Sequence, residues 1–108
     1  MLGTTYPDPV RVIALRTLRL FWEKPGHEDA EGPLRAWYRE AEAADWKTPT
    51  DIQRHYRTAS ILKAGRIVFN IKGNKYRLVV KIDFEARRIY IRFIGTHQEY
   101  DRIDANSI

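Results

Sequence analysis

The chain is predicted to be α+β, with an N-terminal strand and helices packed on one face of a small antiparallel sheet. Three observations carry this. From Arg66 to Tyr100 apolar residues alternate with others through most of the stretch, the period of a half-buried strand. Gly73-Asn74 sits between two such runs, and a two-residue Gly-Asn break is a hairpin turn. The N-terminal half has a different period. Leu15, Leu18, Phe21 and Trp22, then Leu34, Trp37, Tyr38, Ala41 and Ala44, recur at helical spacing.

Taken in order, the first seven residues lack a signal-peptide pattern, Met1–Pro9 reads as a loose leader, and residues 10–108 as a single domain. Val10–Ala14 is a short strand candidate. The helix that follows ends at Pro25-Gly26, and a loop runs from Lys24 to about Glu31. The next helix turns Arg35, Arg39, Glu40 and Glu42 outward, and its Trp37/Tyr38 pair reads as core in preference to a base-stacking platform. Thr48-Pro49-Thr50-Asp51 is a helix start: Thr48 caps, Pro49 suits the first helical position, and Asp51 favours the positive end of the dipole. This short helix turns Ile52 and Tyr56 inward. Ser60–Gly65 leads into the sheet, with Gly65 at a turn, and residues 101–106 form a short helix or an irregular tail.

The register of the sheet follows from the pattern. With Gly73-Asn74 as the turn, Ile71 faces Tyr76, Asn70 faces Arg77, Phe69 faces Leu78 and Ile67 faces Val80. The strongly apolar pairs then share one face, and a shift of one residue would mix charges into it. A loop at Phe84–Arg87 pairs Asp83 with Arg88, Ile82 with Ile89, Val80 with Ile91 and Leu78 with Phe93, and sets Arg92 opposite Val79. The other face collects Arg66, Asn70, Lys72, Lys75, Arg77 and Lys81 around Val68 and Val79, and is expected to be exposed and basic. The same register brings Gly95-Thr96-His97 beside Lys75, Arg77 and Asn70.

Composition narrows the possibilities. The chain contains no cysteine, so it offers no thiolate nucleophile and requires no oxidising compartment. No apolar run approaches the roughly 20 residues that cross a bilayer, so no membrane association is expected and the cytoplasm is the expected location. The net charge of +5 suggests a polyanionic partner, nucleic acid being the commonest, although a solvated basic face would give the same value.

One chemistry uses the residues gathered at this rim. Cleaving RNA without a metal employs the neighbouring 2′-hydroxyl as nucleophile. The enzyme must help remove its proton, neutralise charge on the phosphorane and protonate the leaving 5′-oxygen. Arginine and lysine supply the second function through charge-assisted hydrogen bonds. Histidine, with a reference pKa of about 6.5, suits the proton transfers, and tyrosine orients a group or stacks a base. His97, Arg77, Lys75 and Tyr100 are therefore the candidate catalytic residues, and Asn70, Lys72, Arg66, Lys81 and Arg92 the candidate RNA contacts. Each also has a structural reading. His97 can close the loop after the last strand, Arg77 can pair with an acid such as Asp101, the lysines can be solvated turn residues, and Tyr100 can anchor the tail. His27 and His55 lie far in sequence from the rim and are assigned no role. The three histidines show no metal-ligand spacing, and there is no phosphate-binding glycine loop or dinucleotide fingerprint, so no cofactor is expected.

Several segments are familiar in combination: Leu34-Arg-Ala-Trp-Tyr-Arg-Glu40, Ala44-Asp-Trp-Lys47, Ala59-Ser-Ile-Leu-Lys63, Arg66 through Val80 with its Gly-Asn-Lys-Tyr-Arg-Leu, and Tyr90 through Asp101 with its Ile-Gly-Thr-His-Gln-Glu-Tyr-Asp. Over roughly Val10 to Ile103 the chain resembles the HigB-type toxins of bacterial type II toxin–antitoxin modules, within the RelE-like superfamily. The resemblance implies helices on an antiparallel sheet and a ribosome-dependent mRNA endoribonuclease. It also implies a cognate antitoxin, expected to carry a helix-turn-helix domain and to link the toxin indirectly to operator DNA. Arg77 stands at the arginine of the Tyr-Arg-Leu strand, and His97 and Tyr100 at the C-terminal positions; some relatives have lysine or arginine near the position of His97. The alternative function is a non-catalytic RNA- or ribosome-binding module, in which His97 is incidental.

Overall fold

The computed structural model describes residues 10–108, and the leader expected over 1–9 lies outside the described residues. Strand β1 (Arg11–Ile13) leads into helix α1 (Leu15–Trp22), which buries Leu18, Phe21 and Trp22. A 3-10 turn, Glu28–Ala30, occupies the expected loop and runs into helix α2 (Glu31–Ala43), whose buried stripe is Leu34, Trp37 and Ala41. Trp37 is only 1% exposed and meets Phe69 edge-on at 5.4 Å, so it belongs to the core as its spacing predicts.

Helix α3 (Pro49–His55) starts where the sequence places it. The Asp51 amide donates to Thr48 Oγ1, and the Thr48 amide returns a bond to Asp51 Oδ2 at 3.2 Å. The Lys47 amide also donates to Oδ2, and is the main reason the Asp51 carboxyl lies below its ordinary range. A capping box of this kind satisfies amides that the first helical turn leaves unpaired.

The sheet has the order β1-β5-β4-β3-β2, with β2 (Ser60–Ile61), β3 (Arg66–Ile71), β4 (Tyr76–Asp83) and β5 (Arg88–Thr96). Its last four strands are antiparallel. β1, however, joins β5 in parallel, pairing Arg11 with Arg88 and Ile13 with Tyr90, so the sheet is mixed where an antiparallel one was expected. A parallel partner needs a long crossover, and here the intervening helices and three strands supply it. The main core lies between the helices and one sheet face. Leu18, Leu34, Trp37 and Ile52 meet Ile67, Phe69, Tyr76, Leu78 and Val80 there. Among the described residues no helix is long and apolar enough to cross a membrane.

The β3–β4 register is the expected one at every pair, from Ile71/Tyr76 to Ile67/Val80. Between β4 and β5 the pairs Asp83/Arg88, Ile82/Ile89 and Val80/Ile91 also hold. Above them an irregularity between Val79 and Val80 leaves Arg92 as an extra residue. Val79 therefore faces Phe93 and Leu78 faces Ile94, correcting the expected Val79/Arg92 and Leu78/Phe93 pairs. A bulge of this kind moves the residues beyond it to the opposite face, and Phe93 joins Val79 on the side away from the helices.

That side carries a second apolar cluster. Val68, Val79 and Ala105 are buried together, with Leu62, Phe93, Tyr100 and Ile108 against them. The face expected to be exposed is thus covered across its middle by the C-terminal segment. Two valines in cross-strand register are apolar area that water disfavours at about 25 cal/mol per Å², and the small side chain of Ala105 lets the segment lie close over them.

Candidate functional site

The upper edge of the sheet is built by the β3–β4 turn and the end of β5. The Lys75 amide donates to the Lys72 carbonyl across Gly73-Asn74 at 3.2 Å, closing the turn. Asn70 then pairs with Arg77, Arg77 with Gly95 and Tyr76 with Thr96. Three strands therefore end together, and the chain turns from Thr96 into helix α4 (His97–Tyr100). A second capping box fixes that turn: the Thr96 amide donates to Glu99 Oε1 at 2.8 Å and the Glu99 amide to Thr96 Oγ1 at 3.1 Å. The Thr96 amide is the main reason the Glu99 carboxyl lies below its ordinary range, with His27 and Lys24 assisting. The His97 amide donates to the Lys75 carbonyl at 3.1 Å, tying α4 to the hairpin. Gly95 is buried where no side chain fits: a Cβ would stand 2.5 Å from Phe93 Cζ and 3.0 Å from Glu99 Oε1.

Arg77 is the best-held cation of this edge. Its Nη2 donates to Asn74 Oδ1 at 2.5 Å and its Nη1 to the Asn74 carbonyl at 3.0 Å. The guanidinium carbon lies 5.9 Å from the centre of the Tyr100 ring. Tyr100 itself rests on the second apolar cluster, so Arg77 is supported by the turn and by an aromatic ring whose own position is fixed by packing. His97 Nε2 stands 3.5 Å from Asp101 Oδ2, with the imidazole 45% exposed. Asp101 therefore faces His97 and not Arg77. An exposed histidine beside a carboxylate can exchange a proton, and an arginine held in a fixed direction on the same edge of the sheet can receive an oxyanion.

Lys75 is placed differently from its neighbours. Its backbone belongs to the rim, but its ammonium pairs with Asp29 of the 3-10 turn, which also accepts from the Tyr76 hydroxyl. The Lys75 hydrogen bond holds the Asp29 carboxyl down and raises the lysine in turn, while burial is the main reason the Tyr76 phenol is raised. The pairing directs the ammonium toward the helical layer. Lys72 is exposed at the turn, and Asn70 lies half-buried beside Arg77.

The remaining RNA-contact candidates are at the other end of the face, beyond the C-terminal segment. Arg66 Nε donates to the Ile108 carbonyl at 2.7 Å. Lys81 pairs with Arg66 on one side and Tyr90 on the other. Lys81, Tyr90 and Arg92 line an open cavity of about 760 Å³ with Gly65 and Phe84. The structure thus unites Arg77, His97, Tyr100, Asn70 and Lys72 at one edge and sets Arg66, Lys81 and Arg92 apart.

Sequence reasoning missed Asn74, Asp29 and the His97–Asp101 contact. Asn74 had a signal, a turn residue three positions before Arg77; Asp29 had none, being 46 residues from Lys75. His27 stacks on Phe21 at 4.3 Å between ring centres, and His55 packs on Tyr56 at 4.6 Å. Among the described residues no three histidine, aspartate or glutamate side chains are grouped as a metal centre requires.

Residues 30–103 match the family model for the HigB toxin, a RelE-like toxic component of a toxin–antitoxin system. The mRNA interferase toxin HigB of Escherichia coli (strain K12) is 50% identical over 34 residues, which is 32% of this chain and 33% of that protein. The mRNA interferase HigB of Shigella flexneri gives the same values. The mRNA interferase HigB of Escherichia coli O6:H1 is 26% identical over 72 residues, 65% of this chain and 70% of that relative. The chain thus spans about a third of the length of the first two relatives, at 33% of each.

Proposed function

The chain belongs to the HigB family of RelE-like toxic components of toxin–antitoxin systems, and from that premise we propose that it is a ribosome-dependent mRNA endoribonuclease that stops translation and growth until a cognate antitoxin binds it. The observation that carries the reading is Arg77, held by Asn74 and set against Tyr100 at the edge where the α4 turn presents His97.

In this reading the 2′-oxygen of the substrate attacks the adjacent phosphorus, the bond from phosphorus to the 5′-oxygen breaks, and a 2′,3′-cyclic phosphate and a 5′-hydroxyl result. Arg77 receives the charge that gathers on the non-bridging phosphoryl oxygens. Such a donor counts most when it is oriented before the reaction begins, and its two bonds to Asn74 and the Tyr100 ring provide that orientation. His97 supplies a proton transfer, with Asp101 Oδ2 3.5 Å from its Nε2. Tyr100 orients Arg77, and the Lys75 backbone fixes α4. Asn70 and Lys72 contact the strand nearby; Arg66, Lys81 and Arg92 contact it further along the face. No metal takes part. With so few proton-transfer groups, the site gains from a substrate already positioned by the ribosome.

The cationic rim also suits masking by the antitoxin. We place the protein in the cytoplasm, with a helix-turn-helix antitoxin connecting it to operator DNA. Primer extension on an mRNA in a purified translation system tests the reading. Wild type is expected to leave discrete cuts that require translation, and Arg77→Ala and His97→Ala to weaken them at least tenfold while each variant stays folded. Ribosome binding without cuts would replace the nuclease with a non-catalytic binding module and leave His97 a structural residue.

A further inference from the structure

Lys81 and Arg92 differ from most of the cations on this sheet face. Arg66 is tied to the Ile108 carbonyl, Arg77 to Asn74 and Lys75 to Asp29. Neither Lys81 nor Arg92 makes an ion pair or a side-chain hydrogen bond with the described residues, and both line the cavity of about 760 Å³. That volume lies within the range of small-ligand pockets. The acid in its wall, Asp83, is already engaged: its Oδ1 accepts from the Ala86 amide at 2.9 Å. Two half-buried aromatic side chains, Tyr90 and Phe84, stand in the same wall. Gly65 brings the chain close to β4, where a Cβ would lie 2.6 Å from the Ile82 carbonyl oxygen.

Resting on the RNA-directed reading above, we infer that this cavity is a second nucleotide subsite: an unpaired base stacks on Tyr90 while Lys81 and Arg92 hold its phosphate. An aromatic face next to two uncommitted cations matches a base with its phosphate, whereas an acidic polypeptide would use the cations and leave the rings idle. The place along the face fits as well. Lys81 is four residues from Arg77 on β4, about 13 Å at strand rise, or about four stacked nucleotide steps. The apolar ridge of Val68, Val79 and Ala105 lies between the two ends, so the subsite grips the strand away from the scissile bond and can be altered without disturbing Arg77 or His97.

The test is fluorescence anisotropy with a labelled 2′-O-methyl RNA hexanucleotide, which has no free 2′-hydroxyl and cannot be cut by in-line attack. It is run on the full chain, with Tyr90→Ala, Tyr90→Phe, Lys81→Ala and Arg92→Ala, after circular dichroism shows each variant folded. Tyr90→Ala is expected to bind about tenfold more weakly with an unchanged salt slope, and Tyr90→Phe to bind like wild type. Lys81→Ala and Arg92→Ala should each reduce the salt slope by about 0.7. Unchanged affinity in Tyr90→Ala, or no binding by wild type, overturns the subsite. So does polyglutamate binding at least as tight as the oligonucleotide's that weakens in Lys81→Ala and Arg92→Ala but not in Tyr90→Ala, which would make the occupant an acidic polypeptide. Because the probe cannot be cleaved, the two readings fail separately. The expected binding pattern without mRNA cuts supports the subsite and removes the nuclease, and cuts with unchanged affinity in Tyr90→Ala do the reverse.

Discussion

Gly95→Ala puts the architecture of the rim to a quantitative test. The added methyl would stand 2.5 Å from Phe93 Cζ and 3.0 Å from Glu99 Oε1, where carbon atoms settle at about 3.5–4.0 Å. The Phe93 ring must therefore move by about 1 Å, but it is packed against the cluster of Val68, Val79 and Ala105, with Tyr100 beside it. Overpacking of this kind costs about 1–3 kcal/mol. At about 2.1 cal/mol/K per residue, a chain of 108 residues has an unfolding entropy of about 0.23 kcal/mol/K, so the melting temperature should fall by about 4–13 °C. Phe93→Leu removes the clashing atom. Gly95→Ala combined with Phe93→Leu should then be less destabilised than the two single changes added together, by about 1 kcal/mol. Thermal and urea unfolding followed by circular dichroism measure all four proteins. Cleavage should also fall in Gly95→Ala at temperatures where it is folded, since Thr96 and His97 follow directly. A melting temperature unchanged to within about a degree, or strict additivity in the double variant, would refute the claim that the Phe93 ring requires a residue without a side chain at position 95.

Two further outcomes concern the caps. The Glu99 carboxyl is held below its ordinary value by the Thr96 amide; its contribution is therefore present above the unfolded pKa and disappears as pH falls through the lower folded one. Glu99→Gln should accordingly be less stable than wild type at pH 7, with the gap in urea midpoint closing as the solution is acidified through about pH 4. A gap independent of pH would remove that account. Thr48→Ala takes away the side-chain half of the α3 capping box and should cost about 1 kcal/mol, read as a lower urea midpoint at constant slope.

Local pattern predicted what local chemistry controls. The β3–β4 register was legible because both strands alternate cleanly and a Gly-Asn turn pins them. The α3 start was legible because Thr48, Pro49 and Asp51 each favour the same boundary. The β4–β5 ladder could be followed only to Val80. Beyond it Phe93 and Ile94 are both apolar, so the residue composition does not reveal that Arg92 is the extra one. Covering of the far face left a trace in Val68 and Val79 on an otherwise polar surface, and in Ala105 and Ile108 of the tail, but matching them needs the fold. Arg77, His97 and Tyr100 were brought together by strand register alone. The partners that orient them were harder: Asn74 is local to the turn, whereas Asp29 reaches Lys75 only after the helices have packed.

The order of the strands has a consequence for how the molecule behaves at high concentration. The three inner strands, β3 to β5, run for 6, 8 and 9 residues and are rich in valine, isoleucine and phenylalanine, the composition that polymerises when left unpaired. Among the described residues the sheet is flanked by β1 of 3 residues on one side and β2 of 2 on the other. Arg11 on β1 carries charge to one margin, and Ser60 on β2 is exposed at the other. Margins this short offer few free amides and carbonyls to a second sheet. The outermost strands thus act as selvedges: they contribute little to the core, yet they keep a strongly apolar sheet from growing copy by copy into a fibre.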